Sequence, residues 1–178
     1  MTPMEMESVI RKKIHTLLIF DRALPEDTTY PLSGTKGLEV AEVIFEESIP
    51  FGRLVTDKEL AALVGTPEAK RYGMVTLLEE DDRFKPLFQN RKLPPEIETE
   101  VEERVRELAK QLRAIRSRCS SLERVILFGR AAQTLYDRAL TRLEESNPPV
   151  HEELTSLECL RLPTIRRVTK EQLEQVKR

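Results

Sequence analysis

Three carboxylates, Asp21, Glu26 and Asp27, follow a short apolar run, Thr16-Leu17-Leu18-Ile19-Phe20. A carboxylate at the mouth of a buried strand can orient a water and take its proton, so each is a candidate hydrolytic base. The same residue types also cap turns ahead of helices by accepting backbone N–H groups. Tyr30, in a chain with three Tyr, six Phe and no Trp, could stack on a flipped base or sit in the core. Far along the chain, Arg166 and Arg167 form the densest basic spot with Arg161 and Lys170. Such a cluster suits phosphate contact or groove insertion, or else pairing with Glu171 and Glu174 at a solvated edge.

Other groups have simpler readings. Ser33-Gly34-Thr35-Lys36-Gly37 could cradle a phosphate with backbone amides, but it lacks the spacing of a nucleotide loop and reads as a plain turn. Glu79-Glu80-Asp81-Asp82 could attract a divalent ion, yet four consecutive acids cannot converge from one short segment, so a solvated loop is expected. Arg106, Lys110, Arg113 and Arg116, spaced 4, 3 and 3, place a basic stripe along one helix face, which in most proteins is solubilising surface. Cys119 and Cys159 are too few for a thiolate-ligated metal or cluster; a disulfide between them is possible but unforced, and two free buried thiols are expected. His15 and His151 have no evident partner, and no cofactor or metal is expected.

These residues need elements to position them. Thr16–Phe20 reads as a buried strand feeding a long loop, Asp21 to Gly37. Leu38, Ala41, Ile44 and Phe45 mark the inner face of a helix that Pro50 and Gly52 end. Thr56 and Glu59 suggest a capping box for a short helix closed by Gly65, and Thr66-Pro67 opens a further turn. Tyr72–Leu78 reads as a second strand. A long helix from about 96 to 118 follows, with Ile97, Val101, Val105, Leu108, Leu112 and Ile115 at helical period. Arg124–Phe128 is a third strand, Gly129 starts a helix, and Asn147-Pro148-Pro149 breaks it. A fourth strand covers about 158 to 162, and Thr169 with Gln172 caps a last helix. The alternation predicts one α/β domain over 1–178, a central parallel four-stranded sheet flanked by helices on both faces. Ligands in such sheets bind beyond the carboxyl ends of the strands. Asp21–Gly37, Glu79–Asn90, Gly129–Arg130 and Pro163–Arg167 are therefore expected around one crevice.

Composition narrows the class. Hydrophobic residues make up 39% and charged residues 34% of 178, which excludes disorder, collagen and a membrane protein. Lys+Arg 29 against Asp+Glu 31 gives a net charge of −2, so an anionic partner must be met by a local patch. Charged residues interrupt the N-terminus and no apolar stretch nears the ~20 residues of a membrane span, so a cytoplasmic protein is expected.

In order of elements and loops the chain resembles the uracil-DNA glycosylase superfamily. The first-strand motif is matched by Leu17-Leu18-Ile19-Phe20-Asp21 through Pro25-Glu26-Asp27 and Tyr30-Pro31-Leu32-Ser33-Gly34. The approach to the long helix is Asn90-Arg91-Lys92-Leu93-Pro94-Pro95, and the strand–Gly–helix is Val125 to Ala132. The last strand and the loop that enters the minor groove correspond to Leu160-Arg161-Leu162-Pro163-Thr164-Ile165-Arg166-Arg167, with Thr164 at the place of the family's serine. The resemblance implies a DNA-binding, cofactor-free hydrolase of DNA repair that cleaves the N-glycosidic bond of a damaged or deaminated base. Asp21, Glu26 or Asp27 would then position the water, Tyr30 and Thr164 would hold the base, and Arg166, Arg167 and Lys170 would hold DNA. Residues 48–73 resemble instead the winged-helix part of alkylguanine alkyltransferases, in which Arg71 would take the space of a flipped nucleotide. Leu87-Phe88-Gln89-Asn90 lacks that family's cysteine, which excludes alkyl transfer. A non-catalytic nucleic-acid- or protein-binding module with a helix-turn-helix-like insert at about 53–72 is the alternative.

Overall fold

The computed structural model describes residues 13–28, 30–78, 82–89 and 91–177. Four parallel strands form one sheet in the order β2-β1-β3-β4, with β1 Thr16–Arg22, β2 Tyr72–Leu78, β3 Arg124–Phe128 and β4 Glu158–Leu162. The architecture is α/β, with helices on both faces, as the alternation predicts.

The continuous apolar run of β1 is explained by burial on both sides. Leu17 and Ile19 point into one core with Val75, Leu77, Val125 and Leu127. Leu18 and Phe20 point into the other with Met74, Ile126 and Phe128, the last stacked on Phe20 at 5.1 Å. The first core is roofed by α5 (Pro95–Arg118) through Val101, Val105, Leu108, Leu112 and Ile115, and by α6 (Arg130–Ser146) through Leu135, Ala139 and Leu143. The second is roofed by α1 (Thr35–Phe45), α2 (Phe51–Thr56) and α8 (Lys170–Val176). The step from β1 to β2 uses helices on the second face, while the steps to β3 and β4 run the other way over the first. Connections of one handedness require that division. The chain therefore leaves β1 and β3 in opposite directions, and the crevice at their carboxyl ends is the switch point where such sheets bind ligands.

Several local expectations are corrected. In α1 the inward residues are Gly37, Val40, Ala41 and Ile44, whereas Leu38 is 41% exposed. The helix is rotated because Gly37 lies directly on the Leu32 backbone, where no Cβ fits. Thr56 ends α2, its hydroxyl donating to Gly52 O at 2.8 Å, and Asp57 caps α3 (Lys58–Leu63) by accepting Leu60 N–H at 3.0 Å. Asn147-Pro148-Pro149 ends α6 but also opens α7 (Pro148–Thr155), with the Asn147 side chain accepting Val150 N–H. The capping box of Thr169 and Gln172 is present. Cys119 and Cys159 are both free, but Cys159 is exposed on β4 rather than buried. In the helix-turn-helix-like stretch, α2 and α3 have six residues each, and Phe51, Leu54 and Val55 are core. Among the described residues no helix is long and apolar enough to cross a membrane.

Candidate functional site

An open cleft of about 750 Å³ lies at the carboxyl edge of the sheet, where β1, β3 and β4 end. Its floor is made by Asp21, Gly129, Leu162, Pro163 and Thr164. Asp21 is the penultimate residue of β1 and only 3% exposed. Its Oδ1 accepts the Thr164 hydroxyl at 2.9 Å, which ties the first strand to the loop after the fourth. Its other oxygen packs against Gly129, the residue between β3 and α6. Gly129 has φ +98°, a backbone that side chains rarely adopt, and any Cβ there would strike the Asp21 carboxylate. The Gly129 N–H donates to Leu162 O at 2.9 Å, so the three strand ends are stitched together around the carboxylate.

Burial raises the Asp21 pKa from 3.8 to about 6, with the Thr164 hydroxyl and the Arg22 charge pulling the other way. The group is therefore ionised at neutral pH yet basic enough to accept a proton, the range in which general bases work best.

Cations line the walls. Arg22 lies over the Phe88 ring at 4.5 Å, and Lys85, Phe88 and Gln89 come from α4 (Lys85–Phe88) and the residue after it. Arg130 and Gln133 come from the first turn of α6, and Arg161 and Arg167 from β4 and the turn beyond it. Arg161 grips Asp137 with both terminal nitrogens, at 2.7 and 3.2 Å. Lys85, Arg130 and Arg167 make no ion pair with any described residue. Five basic side chains line the cleft, one of them already paired with Asp137, against Asp21 as the one lining carboxylate, which favours an anionic ligand or a developing negative charge.

Asp21, Thr164 and Arg167 are thus brought together. Thr164 spends its hydroxyl proton on Asp21, which makes it a positioning residue for the carboxylate. Asp27 lies elsewhere, its oxygens accepting Leu32 N–H at 2.9 Å and Gly34 N–H at 3.0 Å. Those bonds bracket Leu32, whose left-handed backbone (φ 57°) needs holding, so Asp27 builds the loop. Burial raises its pKa as well, with the two amides opposing. Glu26 is exposed and sits 3.8 Å from Arg166, outside the cleft. Tyr30 is half-buried and Lys170 is exposed, and neither lines the cleft. Arg71 immediately precedes β2, where its carbonyl accepts His15 N–H, and so lies at the amino end of the sheet, opposite Arg167. In the Ser33–Gly37 turn the Gly34 amide is already bound by Asp27. The acidic residues 79–81 lie outside the described residues, and among the described residues no cluster of His, Cys, Asp and Glu could hold a metal. Arg22, Lys85, Phe88 and Gln89 fall within the segments expected at the crevice, although the sequence gives them no individual role, and Gln133 falls outside those segments. Their signal was proximity to a strand's carboxyl end or to the first turn of the next helix.

Compared with known proteins, the chain matches no family model, no curated sequence and no solved structure.

Proposed function

We propose that the cleft binds a nucleic-acid strand through its cations and that Asp21 is the base for hydrolysis of an N-glycosidic bond, as in a DNA glycosylase. The buried, near-neutral carboxylate on the floor of a basic cleft carries this reading. In the reaction Asp21 takes a proton from water while the water oxygen bonds to the anomeric carbon. The electron pair of the broken bond leaves with the base, whose negative charge the neighbouring guanidinium groups offset. Thr164 and Gly129 fix the carboxylate, and Arg130 and Arg167 hold phosphate.

Duplexes containing uracil, hypoxanthine or a mismatch are the substrates to try, with abasic product read by alkaline strand cleavage. The rate should rise with pH through about 6 and then level, because only the ionised carboxylate acts. Asp21→Asn should lower it by roughly 10²–10⁴. If no abasic product forms and Arg130→Ala with Arg167→Ala leaves DNA binding intact, the cleft reading is lost. A binding module acting through the stretch ending at Arg71 would then be favoured.

A further inference from the structure

The basic residues of α5 and α6 divide into two groups. Arg116 binds Glu153 at 2.9 Å, Arg138 binds Glu98 at 2.6 Å and Glu102 at 3.1 Å, and Arg104 has a partner as well. Arg106, Lys110 and Arg113 are exposed and make no ion pair with any described residue. All three line a groove of about 430 Å³ between the two helices, opposite Arg142 and Glu145. Only Arg142 is partly engaged, at 3.8 Å from Glu102. The lining therefore carries four cations, one of them shared with Glu102, against the single lining acid Glu145, a net positive groove.

Its position separates it from the cleft. α5 runs antiparallel to the strands, so Arg106 to Arg113 lie about 17 to 27 Å along it from the end nearest the cleft. The three charges span about 10 Å of helix axis in one row.

We propose that this groove is a second anion-binding surface and that its ligand is the phosphodiester backbone of a nucleic acid. A row of long cationic side chains meets successive phosphates without needing a shaped pocket. An acidic protein partner fits less well, because such interfaces depend on aromatic or aliphatic anchors. The apolar groove residues, Ala109 and Leu143, are 8% and 2% exposed and offer none. A membrane surface fits less well too, since the exposed large hydrophobics among the described residues are Leu38 and Leu63, on α1 and α3. The inference does not depend on what chemistry the cleft performs.

Fluorescence anisotropy with a short labelled DNA duplex, titrated at several salt concentrations, tests it. The variant R106A/K110A/R113A should bind more than about tenfold more weakly at low salt and lower the slope of log affinity against log salt by about 2 to 3. The charge-matched variant K13A/K92A/K177A, at exposed positions that line neither the cleft nor the groove, should change little. Equal losses in the two variants, or unaltered DNA binding by the groove variant, would overturn the proposal. So would loss of binding to phosphatidylserine vesicles with DNA binding retained, which would assign the groove to a lipid surface. Hydrolysis by wild type and Asp21→Asn, measured separately, reports on the cleft alone.

Discussion

Replacing Asp21 with asparagine is expected to stabilise the protein at neutral pH and to lose that benefit in acid. The folded chain holds the Asp21 proton with a pKa of about 6, the unfolded chain with an ordinary 3.8. Below 3.8 the group is protonated in both states and costs nothing. As pH rises from 3.8 to about 6 the unfolded chain ionises first, so stability falls, and above about 6 the loss is complete. Roughly two pH steps at 1.36 kcal/mol each make the full penalty about 3 kcal/mol. Asparagine removes the charge but weakens the bond from the Thr164 hydroxyl, which loses an ionised acceptor and costs about 1 kcal/mol. The net gain at pH 7 is about 2 kcal/mol, or roughly 4–8 °C in Tm for a chain of this size. Urea denaturation of both proteins at pH 7 and at pH 4 reads it directly. A variant less stable than wild type at pH 7, or one with the same advantage at pH 4, would refute the assignment of a costly buried charge. Activity should move the opposite way, as is common where a fold carries a destabilising functional group.

Two further expectations concern the supports of the site and of the sheet. Gly129→Ala should destabilise by at least about 3 kcal/mol, because φ +98° is strained for alanine and the new Cβ must displace the Asp21 carboxylate; thermal unfolding within about 1 kcal/mol of wild type would contradict it. Arg124, 6% exposed, donates to Val176 O at 3.1 Å and Gln175 O at 2.8 Å, and its Nε lies 3.3 Å from Glu158. Arg124→Ala strips the end of α8 of its charged cap and should cost about 2–3 kcal/mol. Hydrogen exchange should quicken across α8, since seven residues cannot hold a helix without tertiary support, and unchanged protection there would rule out the cap.

Three of the four strands were legible because strands buried on both faces are written as mostly apolar runs, as in Tyr72–Leu78 and Val125–Phe128, whereas β4 is largely exposed. The helix faces were less so. Leu38 looks like core and Gly37 like nothing, yet close approach to Leu32 makes the glycine the buried residue. The proline pair at 148–149 reads as a break, although proline in the first turn also starts a helix. Within the site, Asp21 and Arg167 follow from the strand-end rule. Glu26, Asp27 and Tyr30 share the same loop in sequence but not the same space, because Asp27 folds that loop back on itself through Leu32 and Gly34. Phe88 lies in the segment expected at the crevice and converges there with Gln133, which comes from a different helix one turn beyond the expected strand-end segment.

That convergence bears on what Asp21 is for. A side chain needed only to tether Thr164 could be a neutral asparagine, which accepts the same hydroxyl without the cost of a buried charge. The fold instead keeps an ionisable group, removes the side chain at position 129 to make room for it, and ties down both neighbouring strand ends. It then surrounds the opening with cations, of which Arg130 and Arg167 remain unpaired among the described residues. A purely structural carboxylate would be expected to sit against one of those cations and have its pKa lowered. Here burial outweighs the neighbouring charge and the pKa is raised, which supports the proposal that the positive groups serve something that enters the cleft.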